Sequence, residues 1–210
     1  MVKSIEVILP YSEETTPENL ANLGKLNPYI FSFTVFSSPE NKFINTRKDV
    51  FGLIFYSKEA VYSEKCCGKI SPSFFTINTK TFTESVNFNS CLNRKIAIDV
   101  EGRIKNCPSM SDSFGIAGNI TFEEILKKPS FKDKWNINKN LINVCKDCEF
   151  RYVCTDCRAY IENPEESLSK PLKCGYDPYT GEWQEWTFDS SKKSVIEHYS
   201  LFDWRNNPLR

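Results

Sequence analysis

The chemistry available to this sequence is concentrated in its cysteines. Four thiols fall within thirteen residues, Cys145, Cys148, Cys154 and Cys157, in a C-x2-C-x5-C-x2-C spacing. Cys91 and Cys107 lie upstream, Cys174 lies downstream, and the vicinal pair Cys66-Cys67 precedes them all. Nine cysteines is an odd number, which suits a disulfide framework poorly. The opening residues lack the long apolar core of a signal peptide, so a cytoplasmic location, where thiols stay reduced, is expected. Metal binding is then the leading use of the thiols. The single histidine, His198, leaves little scope for histidine-based acid–base catalysis and reads as a surface residue.

Three fates for the thiols compete. A structural zinc takes four tetrahedral ligands, usually as two short pairs set well apart. Here only five residues separate Cys148 from Cys154, and Cys91, Cys107 and Cys174 would be left over. Burial as small apolar side chains suits one member of Cys66-Cys67 but not C-x2-C pairs set among charged residues. Iron–sulfur clusters are held by thiolates, four to a cluster, from a compact run plus a distant cysteine. A cluster is also bulkier than one ion, so wide and uneven spacing fits it. Iron–sulfur chemistry is the favoured reading, and a zinc-stabilised, non-catalytic adaptor is the alternative.

The elements that must carry these residues can be read in outline. The chain has 210 residues, 40% of them apolar and 14% aromatic, which supports a folded core. Its 27 basic and 27 acidic residues balance, so nothing favours a nucleic-acid or anionic-membrane partner. No run approaches the roughly 18 apolar residues of a membrane span. Residues 4–9 read as a strand. A helix follows, with Thr15 or Thr16 as N-cap, Pro17 in its first turn and a stop near Asn27-Pro28. Residues 29–36 and 50–56 are apolar strands, which predicts parallel pairing with both sheet faces covered. Residues 81–90 carry no clear preference.

From Cys91 onward the texture is shorter and loopier. A hairpin of residues 95–100 and 103–106 turns at Glu101-Gly102. Thr121 caps a short helix with Glu123 and Glu124 in its first turn, ended by Lys127-Lys128-Pro129. Ser130 opens another segment through Trp135. Ser190 or Ser191 caps a last helix carrying Val195, Ile196 and Tyr199. Trp183, Trp186, Phe188 and Trp204 make the tail aromatic, for core packing by default or for peptide docking. Arg151, Arg158 and Tyr160 are placed either to bond cluster sulfurs or to satisfy nearby carboxylates. The fold class is α+β, with a partial β/α segment over 1–85, a cysteine-rich domain over 86–180 and an aromatic tail over 181–210.

Taken as one pattern, the cysteines are Cys91-x10-Gly102-x4-Cys107, then Cys145-x2-Cys148-x5-Cys154-x2-Cys157, then Cys174. This resembles the SPASM domain, the auxiliary iron–sulfur extension of many radical S-adenosylmethionine (SAM) enzymes, over about residues 88–180. The resemblance implies up to two [4Fe-4S] clusters. Cys145, Cys148, Cys154 and Cys174 would hold one. Cys91, Cys107 and Cys157 would hold the other, its fourth position filled by Cys66 or Cys67 or left open. It also implies that the N-terminal segment is the end of a radical SAM-like partial barrel. The chain departs from the family in three places. Cys154 and Cys157 are separated by two residues where the family has three. Pro108 stands where some relatives carry an acidic residue. No C-x3-C-x2-C triplet for a SAM-cleaving cluster is present. The chain therefore looks like the C-terminal part of a radical SAM enzyme or, more closely, like the SPASM-domain maturases of grasp-with-spasm systems. Those are predicted to act with an ATP-grasp ligase on a ribosomal precursor peptide.

Overall fold

Alternation of apolar and small residues in the first sixty positions builds one small sheet and one helix. In the computed structural model, residues 5–45, 52–61 and 63–201 are described, and they form two compact units that divide between Ser63 and Glu64. The first is a four-stranded sheet in the order β1-β2-β4-β3, with β1 at Ile5–Pro10, β2 at Ile30–Phe36, β3 at Lys42–Asn45 and β4 at Leu53–Tyr56. β1, β2 and β4 are parallel, and β3 runs antiparallel to β4. The crossover from β1 to β2 is α1 (Pro17–Leu26). Thr16 caps it by accepting the Asn19 N–H (3.2 Å), and Pro17 supplies a first turn that needs no donor.

Leu20 of α1 packs on Phe33, Val35, Ile54 and Tyr56, all on one sheet face. Each such side chain contributes about 1.5–3 kcal/mol when fully buried. The register Ile8–Thr34–Phe55–Phe43 lines the other face, where Ile8 is 61% and Phe43 56% exposed. The expectation of two covered faces is therefore corrected. A single crossover helix covers one side of a sheet only, and apolar strand composition does not say how many helices are available. β3 was not foreseen, because four residues with two exposed ends carry little pattern until β4 is beside them. Ser4, Val50, Phe51 and Trp204 lie outside the described residues.

The second unit is built from short elements. They are α2 (Thr79–Asn87), the hairpin β5–β6 (Ala97–Ile98 and Ile104–Lys105), α3 (Phe122–Lys127), α4 (Pro129–Lys132), the hairpin β7–β8 (Tyr176–Asp177 and Glu182–Trp183) and α5 (Lys193–His198). Thr121 and Glu124 form the reciprocal capping box on α3. Gly102 turns the first hairpin at φ +78, and Ile104 packs behind it with Ile125 and Phe131. Asn78 caps α2, which settles the ambiguous stretch at 81–90 as mostly helical. The last helix is entered through a 3₁₀ turn, Ser190–Lys192, capped by Asp189 rather than by Ser190 or Ser191.

The units divide upstream of the boundary expected near residue 85. The segment around Cys66 belongs to the second unit because its polar backbone is satisfied there. Ile70 N–H donates to the Lys173 carbonyl (3.2 Å), and Thr76 N–H to that of Val153 (3.1 Å). The described part of the tail is likewise core rather than an appendage: Trp186, Ile196 and Leu201 pack on Tyr160 and Leu172. No helix among the described residues is long and apolar enough to cross a membrane.

Candidate functional site

Cys145 begins a 3₁₀ turn, Cys145–Asp147, whose entry is strained. Val144 sits at φ +66, ψ −46, and the Cys145 N–H donates back to the Asn143 carbonyl (2.7 Å). This is a γ-turn of the rare positive-φ kind, unfavourable for any residue and more so for a β-branched one. The Cys148 N–H closes onto the Cys145 carbonyl (3.1 Å), so the C-x2-C spacing becomes one turn with both thiols at its side. The Cys154 N–H bonds the Phe150 carbonyl (3.0 Å), and the Cys174 N–H bonds that of Pro171 (3.1 Å).

These four thiols line one small cavity, walled by Ile70 and by the rings of Phe75, Phe150, Tyr176 and Trp183. Phe150–Tyr176 and Tyr176–Trp183 centroids lie 5.1 and 4.9 Å apart. Of the four, Cys145, Cys154 and Cys174 are buried. The remaining side chain of note is Lys139, whose ammonium donates to the Cys154 sulfur (3.2 Å). Burial works against that cation, but the Cys154 and Cys145 thiols and Asp156 outweigh it and hold its pKa above the ordinary lysine range. Sequence reading missed Lys139, which stands six residues before the first cysteine of the run in an unremarkable polar stretch.

A second group forms around Cys91, whose thiol lies within electrostatic reach of Cys157, Cys67 and Cys107. Cys157 senses Cys67 in turn, and its sulfur accepts the N–H groups of Tyr160 and Ala159. A Cβ on Gly68 (φ +84) would lie 2.8 Å from the Cys157 sulfur, so the glycine leaves the room that this thiol fills. Of the vicinal pair, Cys67 is the member that reaches both Cys91 and Cys157. Cys66 is exposed and lies near Lys173.

Two residues hold the groups apart yet tied together. Asp156, fully buried between Cys154 and Cys157, pairs with Arg158 (Nε–Oδ2 2.6 Å) and accepts from the Asn89 amide (2.6 Å). Asn89 in turn accepts the N–H groups of Cys91 (3.0 Å) and Leu92 (2.9 Å). Arg158 thus satisfies a carboxylate and the carbonyls of Ser167 and Ser169. Arg151 bonds the Cys148 carbonyl (2.8 Å), and Tyr160 lies under the Lys173 ammonium (4.3 Å). His198 is exposed on α5 against Tyr199. Trp183 and Phe188 are partly open to solvent, whereas Trp186 is core.

All nine cysteines are free thiols. Burial pushes Cys91 and Cys145 up to about 12; Lys95 and Lys139 respectively offset only part of it, and neighbouring thiols add to it. Cys148, Cys154 and Cys157 are raised as well, burial again leading. Such thiols are poor nucleophiles, because the reactive form is the thiolate. They ionise together only if a cation replaces their protons. Among the described residues, no three Cys, His, Asp or Glu side chains converge closely enough to hold a single metal ion. No known protein family, curated protein or solved structure matches the chain.

Proposed function

We propose that the second unit is a SPASM-type module carrying two [4Fe-4S] clusters, acting with an ATP-grasp ligase in the maturation of a ribosomally made peptide. The observation that carries this reading is the division of the thiols. Cys145, Cys148, Cys154 and Cys174 line one cavity, and Cys91, Cys107 and Cys157 gather with Cys67 elsewhere. The donor set fits the group: it is all sulfur, and each of the four cysteine thiolates would ligate one iron. The N–H groups donated to Cys157 and Cys148 favour thiolate there too.

When bound, such clusters accept and return single electrons. The chain's own residues then have separate tasks. The aromatic wall of Phe75, Phe150, Tyr176 and Trp183 excludes water from the Cys145 group. Asp156 and Asn89 fix the distance between the groups. The module binds the precursor peptide or relays electrons in a cytoplasmic system, and the first unit corresponds to the end of a radical SAM-like partial barrel. Without a C-x3-C-x2-C triplet, this chain alone forms no 5′-deoxyadenosine from SAM and dithionite.

Anaerobic purification is expected to give a brown protein with about eight irons, four per cluster. A colourless protein loaded with zinc overturns the reading. For the peptide role, reconstitution with the ligase and precursor should lose or misdirect modification when this chain is omitted. Unchanged modification without it overturns that part.

A further inference from the structure

We propose that Lys139 is the buried counter-cation of the Cys145 group, so that it raises the reduction potential of the cluster held there. The inference rests on the iron–sulfur reading above and concerns which residue sets the potential of that site.

Lys139 is 4% exposed and lines the cavity of the four thiols. An ammonium has three donors and no acceptor, and in an apolar enclosure it requires an anion. Among the described residues its one hydrogen-bond acceptor is the Cys154 sulfur, at 3.2 Å. Asp156, the carboxylate within electrostatic reach, is already paired with Arg158 and bonded to Asn89. The negative charge in direct contact with the lysine is therefore the one the sulfurs carry. Each electron added to a thiolate-held cluster makes its net charge more negative by one, with no bond made or broken. A fixed cation touching a ligand sulfur favours that added charge in a weakly screened interior.

Among the described residues the other group lacks an equivalent. Lys173 is buried near Cys157, Cys67 and Cys66, but its ammonium is turned onto the carbonyls of Lys65 and Cys67 and onto the Tyr160 ring. Lys95, near Cys91, is exposed, where water and salt screen it. A direct, desolvated contact of a cation with a ligand sulfur is therefore particular to the Cys145 group.

The test is a dithionite titration of the loaded full chain, followed by the spectra of the reduced clusters. The wild type is expected to show two one-electron waves. Lys139→Met should make one site at least about tenfold harder to reduce, a fall of about 59 mV, and leave the other wave in place. Lys139→Arg, which keeps the cation, should largely restore it. Because Lys139→Met also risks losing the cluster, pulsed EPR of the wild type grown on ¹⁵N-lysine supplies a reading that needs no variant. A lysine nitrogen coupled to a reduced cluster supports the assignment. No coupling there, or a Lys139→Met protein with both clusters and unmoved waves, overturns it. A wild type with no cluster at all overturns the parent reading instead.

Discussion

The two thiol groups are built on opposite plans. The Cys145 group is closed, with three of its four sulfurs buried, an aromatic wall and a lysine in contact with Cys154. The Cys91 group is more open: Cys67 is exposed, and Cys91, Cys107 and Cys157 are half-buried, enough for burial to raise the Cys91 and Cys157 thiols. It relies on backbone N–H groups and on the space at Gly68. The contrast is one of enclosure: rings and a lysine surround the first group, and backbone donors and the space at a glycine serve the second.

The comparison can be broken first at its shared support. Asp156→Ala leaves Arg158 as an unpaired buried cation, a change that costs about 3–5 kcal/mol. It also frees Asn89 from the run between Cys154 and Cys157. Denaturant unfolding followed by tryptophan fluorescence reports the second unit, since all four tryptophans lie beyond Ser63. Both groups should lose iron together; loss from one alone would show that they are held independently.

Gly68→Ala tests the open group by itself. It forces a side chain into φ +84 and against the Cys157 sulfur, at about 1–3 kcal/mol. Iron content should fall by about half, the four atoms of one cluster. Equal loss from both groups would contradict the separation. Cys67→Ser against Cys66→Ser sharpens the fourth-ligand assignment, with little expected change in stability. The first should alter the EPR signal of the open site, and the second should leave it as it is. A response to Cys66→Ser alone would move the ligand to that residue. The smallest effect belongs to Thr121→Ala, which removes one half of the capping box on α3. It should cost about 1 kcal/mol in unfolding experiments and leave both groups unchanged.

Local features were legible because they are set by neighbours in sequence. The caps at Thr16 and Thr121, the Pro17 start of α1 and the Gly102 turn all depend on contacts within a few residues. Features made by distant partners were not. β3 exists through β4, the single covered sheet face follows from one helix, and the unit boundary follows from bonds between residues 70 and 173. Arg158 was open to two roles until Asp156, two positions away but aimed inward, proved to hold it.

By itself, the sequence determined the chemistry on offer: sulfur donors, paired by C-x2-C turns, with almost no histidine to compete. Which thiols face one another was decided by the tertiary structure. Cys174 lines one cavity with Cys145, and Cys157 gathers with Cys91 and Cys67, while Asp156, between Cys154 and Cys157 in sequence, is buried. Lys139 is the clearest case. In sequence it is one lysine among many, and only burial against Cys154 makes its charge count, because a charge acts strongly where water is excluded and weakly where it is not.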